Sequence, residues 1–182
     1  DEYGHYQCTT RYQLLDTIQQ TLTSQIEFDQ TISAIEHDGE QCLVTFANQE
    51  KARFDLVIGA DGIHSQTRDL ILTPEEVEHF DTGWGGWVWW ADQNDYPVGE
   101  INEYWGHGKF FGVYPVKDKL GMIAAFPRDV VNQVNDNRKQ LIFSSFKHLK
   151  EQYPYWFDGL PNDNEMVFFW PLKDIRAKHW HK

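Results

Sequence analysis

The sequence predicts an α+β fold, an antiparallel sheet with helical cover on one face, preceded by a smaller region that mixes helix and strand. Three observations predict it. Leu14, Leu15, Ile18 and Leu22 recur at helical spacing near the start. A short apolar run at 54–58 leads through a glycine-containing turn into a second helix-like stretch. Four aromatic-rich segments between 84 and 126 are then separated by Gly- or Asp-containing turns, at the spacing of an antiparallel meander.

The elements follow in order. Thr10 can cap a helix over 11–22, with Gln13 completing a capping box. Arg11 sits in its first turn, where a cation gains nothing from the helix dipole, so another use for it is expected. Residues 31–36 and 42–46 alternate as strands around the turn residues Asp38 and Gly39, and Asn48 and Gln49 suggest the next turn. The run at 54–58 reads as a strand buried on both faces. A helix over 65–72 and a second helix start at Thr73-Pro74-Glu75-Glu76 come next. Strands are expected at 84–90, 100–105, 110–114 and 122–126, a helix at 135–153 and a short strand at 167–170. The expected division is 1–78, 79–170 as the sheet domain, and 171–182 returning toward the first region.

Composition narrows the function classes. The chain has 182 residues, 41% hydrophobic and 24% charged, which suits a globular protein. Its net charge of −12 repels phosphate backbones and anionic lipid, so no nucleic-acid partner is expected. No apolar run reaches the roughly 20 residues of a membrane span, and no signal peptide opens the chain. Cys8 and Cys42 form no CxxC or zinc pattern, which reads as a reducing, cytoplasmic setting. His179 and His181 form an HxH pair without an evident third ligand, so no metal is expected.

Chemistry concentrates in 55–68, DLVIGADGIHSQTR. Gly59 and Gly62 let the backbone turn sharply and admit a ligand closely. Ser65 is a plausible cap for the following helix, whose amino end would suit phosphate. Asp61 suits ribose hydroxyls, and Arg68 offers a forked cation for carboxylate or pyrophosphate. The plainer reading is a strand–turn–helix junction with Asp61 and Arg68 as an ion pair. His64 reads as a turn residue.

The string GADGxxSxxR resembles the second flavin and pyridine-nucleotide motif of the para-hydroxybenzoate hydroxylase-like FAD-dependent monooxygenases, the group A flavoprotein monooxygenases. Arg11-Tyr12-Gln13-Leu14 resembles the family's Arg-x-x-Leu helix start. Gly83-Trp84-Gly85-Gly86-Trp87, Glu103-Tyr104-Trp105-Gly106 and Phe111-Gly112-Val113-Tyr114-Pro115 resemble strands of its substrate-domain sheet, and Pro171-Leu172-Lys173-Asp174 with Trp180 the approach to its third motif. The family's GxGxxG motif is not found, so the resemblance implies an interior segment of a longer enzyme, inactive by itself. It implies an α/β flavoprotein fragment, with 1–78 a partial FAD-binding domain and Arg11, Gly59, Asp61, Gly62 and Arg68 at the cofactor. Trp87, Trp89, Tyr104, Phe111 and Tyr114 are the expected substrate-lining residues. FAD, NAD(P)H and a small aromatic or electron-rich substrate are the implied partners, with no protein catalytic residue assigned. Two alternatives stand beside this reading. One is a related flavin-dependent halogenase or reductase segment, and the other a non-catalytic binding module that self-associates through apolar surface.

Overall fold

The computed structural model describes residues 8–97, 99–134 and 137–182. Helix α1 (Arg11–Thr21) starts at Thr10, whose Oγ accepts from the Gln13 N–H at 3.2 Å. Leu14, Leu15 and Ile18 share a face as expected, yet about half of each is exposed and no α1 residue is buried. The chain forms two compact units. A sheet unit holds α1 and residues 81–172, and a smaller unit holds 22–80 and 173–182. The expected first region ran over 1–78, whereas α1 clusters with the sheet unit.

In the smaller unit, β1 (Ile32–His37), β2 (Cys42–Phe46) and β3 (Lys51–Phe54) pair antiparallel in that order. Asp38 closes the first turn by accepting from the Gln41 N–H at 3.0 Å and pairing with Arg53. The Gln41 bond above all, then Arg53, holds its carboxyl at about 2. Val44 is the buried centre of β2. The doubly buried strand expected at 54–58 does not form: β3 ends at Phe54, and Leu56 and Ile58 are 72% and 78% exposed. A strand exists only as a pairing, and among the described residues none lies beside 55–58 to take its hydrogen bonds. Helix α2 (Gln66–Ile71) follows. The second helix start is one 3-10 turn (Pro74–Glu76), in which the Thr73 N–H donates to the Glu76 carboxylate at 2.9 Å, before the chain extends into the next strand.

The larger sheet contains β4 (Val77–Asp92), β5 (Asn102–Gly106), β6 (Lys109–Val116), β7 (Lys119–Pro127) and β8 (Phe168–Ala177), in the order β5-β6-β7-β4-β8. Strands β4 and β8 straddle the division, so 81–92 and 168–172 are their parts in the sheet unit. Strands β5, β6 and β7 form the expected meander. β4, however, lies beside β7, which gives a Greek-key order rather than a four-strand meander. The strand expected at 167–170 runs on to Ala177, and Pro171 is tolerated because β8 is an edge.

One face of this sheet carries the core. The helix expected at 135–153 is broken at Phe146 into α4 (Arg138–Ser145) and α5 (Lys147–Gln152), and Asn135 and Asp136 lie outside the described residues. Helices α3 (Arg128–Gln133) and α6 (Tyr155–Asp158) flank this pair. Ile142, Phe146, Leu149, Trp156, Phe157 and Leu160 pack with Trp87, Trp89, Phe111, Met122 and Phe126 into one buried cluster. The Trp89 indole N–H donates to the Trp156 carbonyl at 2.9 Å, so this polar edge is satisfied inside the core. Each such buried side chain of Phe or Leu size contributes about 1.5–3 kcal/mol. No helix of the described residues is long and apolar enough to cross a membrane.

Candidate functional site

Two surfaces carry chemistry, one in each unit. In the smaller unit, the chain from 55 to 65 is an open loop leading into α2. Gly62 turns it at φ +83°, and the Ser65 N–H donates back to the Gly62 carbonyl at 3.1 Å. A Cβ on Gly59 would lie 2.8 Å from Thr67 Cγ2 and 2.9 Å from its Cβ, so that position has no room for a side chain. Asp61 accepts from the Ser65 hydroxyl through Oδ1 and from the Thr67 N–H at 3.0 Å through Oδ2. The Ser65 bond above all, then Thr67, lowers its carboxyl to about 2. Its side chain is nevertheless exposed. A cavity of about 690 Å³ opens against this loop, lined by Leu56, Ile58, Ile63, Asp61, Trp180 and further residues of the same unit.

Two expectations for this motif change. The amino end of α2 does not face outward for phosphate: Asp61 takes the Thr67 N–H, and Ser65 Oγ takes the Arg68 N–H at 3.0 Å. Arg68 does not reach for pyrophosphate either. It is 8% exposed, donates to the Ile63 carbonyl at 3.2 Å and pairs with Asp69 at 3.1 Å. It lines the cavity and braces the loop, because an unpaired buried guanidinium would be far costlier than this pairing. Arg11 is exposed on the first turn of α1, in the other unit. His181 borders the cavity, but among the described residues no group of three His, Cys, Asp or Glu could hold a metal.

In the sheet unit, register decides which aromatics share a face. Tyr104, Phe111, Ala124 and Trp87 stand in one row across β5, β6, β7 and β4. That row lies under the helices: Trp87, Trp89 and Phe111 are buried, and Tyr104 packs on Phe111 and Trp156. Three of the five expected substrate-lining residues, Trp87, Trp89 and Phe111, therefore belong to the core, where no ligand can reach them without unpacking it, and Tyr104 is half-buried against that core. Tyr114 stands on the opposite face.

That opposite face is open in part: Trp90, Glu103 and Trp105 are exposed, whereas Gly86, Gly112 and Ala125 are buried. Its rows are Trp105–Phe110–Ala125–Gly86, then Glu103–Gly112–Ile123–Val88, then Tyr114–Gly121–Trp90. Trp105 is 78% exposed and meets the Phe110 ring edge-on at 4.7 Å, and Trp90 is also exposed. Tyr114 donates to Glu103 Oε1 at 2.7 Å, and the Trp105 indole N–H donates to Glu103 Oε2 at 3.2 Å. Burial first, then the Glu103 bond, pushes the Tyr114 phenol well above its ordinary value. Glu103, Trp90 and Trp105 are candidates that sequence reasoning missed. The signal was the period of two along Trp87-Val88-Trp89-Trp90, which puts Trp90 opposite Trp87 and Trp89 once the buried phase is known.

No protein-family model matches the chain. It is similar to proteins named FAD-dependent monooxygenases. It is 39% identical over 62 residues to the FAD-dependent monooxygenase phomE of Diaporthe leptostromiformis, covering 34% of this chain and 17% of that protein. It is 27% identical over 149 residues to YetM of Bacillus subtilis (strain 168), provisionally named an FAD-dependent monooxygenase, covering 74% of this chain and 40% of YetM. A salicylate hydroxylase in complex with substrate shares the fold at a TM-score of 0.65 and 15% identity, over 91% of this chain and 46% of that one. The chain thus spans less than half the length of these curated relatives.

Proposed function

We propose that this chain is a segment of a para-hydroxybenzoate hydroxylase-like FAD-dependent monooxygenase, in which the Asp61 loop lies along the cofactor and the open sheet face looks toward the substrate. The observation that carries the proposal is an ionised, exposed Asp61 at the mouth of a cavity of about 690 Å³ formed by its own loop. The acceptor set fits the sugar part of FAD. A carboxylate offers about four lone-pair sites and two are used, so two remain for ribityl or ribose hydroxyls. It does not fit phosphate, which would sit beside a like charge. Gly59 and Gly62 keep the loop thin enough for close approach, and Arg68 holds its shape.

Bound FAD would supply the redox chemistry, with NAD(P)H as reductant and O₂ as the source of the oxygen atom placed on an aromatic or other electron-rich substrate. This chain's residues position and enclose. The aromatic rows of the open face shield the reacting face of a flat substrate from water, and Tyr114 with Glu103 orients it. No proton transfer is assigned to a side chain of the protein.

A second reading, a self-associating module without catalysis, is favoured by the exposed Leu14, Leu15 and Ile18 of α1. One experiment separates the two. The purified chain is mixed with FAD and resolved by size exclusion, with visible absorbance and molecular mass recorded together. The monooxygenase reading expects flavin colour with the protein, reduced at least about tenfold in affinity by Asp61→Ala. Colour unaffected by that substitution sinks the site assignment. A colourless dimer supports the second reading.

A further inference from the structure

The open sheet face holds one carboxylate in an aromatic setting, and the hydrogen bonds around it run in one direction. Glu103 Oε1 accepts from the Tyr114 hydroxyl at 2.7 Å and Oε2 from the Trp105 indole at 3.2 Å. The arrangement is built rather than incidental. Gly112 stands opposite Glu103 on β6, and the Tyr114 ring lies back over it. A Cβ at Gly112 would fall 2.5 Å from Tyr114 Cε2 and 2.7 Å from its hydroxyl oxygen, so only glycine leaves the notch that aims the phenol at Glu103.

Counting donors and acceptors fixes what this cluster can recognise. A phenol has one proton, and Tyr114 spends it on Glu103. Indole is a donor only, and Trp105 spends its proton there too. What remains toward solvent is the second lone pair of the Tyr114 oxygen and the free lone pairs of Glu103, all acceptors, flanked by the rings of Trp105, Phe110 and Trp90. The next row along this face pairs Lys119 with Asp92, so it offers no free cation to quench Glu103. Cys8, the other titratable group among the described residues that Tyr114 feels, is a thiol pushed up by burial, which keeps it neutral.

We infer that the Glu103–Tyr114–Trp105 cluster is a binding subsite for a protonated amine carried on a flat apolar body, the ammonium group meeting Glu103 and the body lying on the exposed rings. Charge complementarity selects this occupant. An ammonium supplies the donors that the acceptor-only cluster lacks, and its charge is attracted both to the carboxylate and to the ring faces. An anion would meet Glu103 with no donor to bridge it. The inference rests on the proposed function only in calling such a molecule a substrate, which makes the substrate class an aromatic amine-bearing compound.

The test uses the full chain, no flavin, and three probes of one shape: 2-naphthylmethylammonium, 2-naphthylmethanol and 2-naphthoate, titrated by calorimetry. The cation is expected to bind roughly tenfold more tightly than the alcohol, the sum of a surface ion pair and a cation–π contact, and the anion most weakly. Glu103→Gln, an exposed substitution, should erase the difference between cation and alcohol while leaving alcohol affinity within about twofold. Added sodium chloride should weaken the cation alone, a check that needs no variant. Equal affinities for cation and anion, a preference that survives Glu103→Gln, or no binding of the cation at millimolar concentration each overturns the proposal. Because flavin is absent, a failure here leaves the Asp61 assignment standing, and a failure of FAD binding leaves this subsite standing.

Discussion

Asp61 shows how one side chain can serve a fold and a site together. Its carboxylate closes the turn before α2 by accepting from Ser65 and Thr67, and it remains exposed to a ligand. These bonds exist only with the ionised form, which is why its carboxyl is lowered to about 2 from an ordinary 3.8. The sign of the consequence follows. Between these two values the unfolded chain holds a proton that the folded chain does not, so stability rises with pH through that window. The contribution of Asp61 is therefore complete above about pH 4 and is lost as the pH falls toward 2. Urea midpoints at pH 6, 4 and 3 should show the native chain losing more stability than Asp61→Asn over the last step. Parallel curves for the two proteins would remove the folded-state role. Arg68 has another character: buried and bonded to the Ile63 carbonyl and Asp69, it is a brace, and the sequence could not distinguish that from a free cation.

At the scale of elements, the sequence was most legible where local chemistry decides. Thr10 and Ser65 cap the helices where their spacing predicts, and the Asp38-Gly39 turn joins β1 to β2. Meander strands β5, β6 and β7 were legible from their turns. What could not be read depends on partners remote in sequence. The run at 54–58 has the composition of a buried strand and, among the described residues, no neighbour to pair with, and β4 finds β7 rather than β5. The phase of the aromatic strands was misread for the same reason, since alternation separates two faces but does not say which one the helices cover. Gly159 illustrates a contact no local pattern announces. A Cβ there would lie 1.8 Å from the Trp90 carbonyl oxygen and 2.9 Å from its carbon, so the end of α6 rests directly on the β4 backbone. Backbone cannot rotate aside as a side chain can. Gly159→Ala is expected to lower stability by about 1–3 kcal/mol, read as a shift in the urea midpoint of tryptophan fluorescence. An unchanged midpoint would mean that α6 does not seat on β4.

The two units differ in how much apolar surface each secures, and this sets an expectation for the whole molecule. Among the described residues, the sheet unit buries Trp87, Trp89, Phe111, Met122, Phe126, Trp156 and their neighbours in one cluster, whereas the smaller unit buries only Val44 and Leu72 among its apolar residues. Its Leu56 and Ile58 stay in water. Stability scales with buried apolar area, so the smaller unit is expected to open at lower urea and the chain to depart from two-state behaviour. The molecule carries a reporter for each part. Seven of the eight tryptophans fall within 81–172 and report the sheet unit, while Cys42, half-buried on β2, reports the smaller one. In a Cys8→Ser background Cys42 is the sole thiol. Its labelling by a thiol reagent should become fast at urea concentrations where tryptophan fluorescence is still native. If both signals instead change together, the two units unfold as one. Ligand linkage extends the test, because anything that binds the native Asp61 loop should move the Cys42 transition toward the fluorescence transition. FAD moving only the Cys42 signal would locate its binding energy in the smaller unit, and FAD moving only the fluorescence would place it on the sheet.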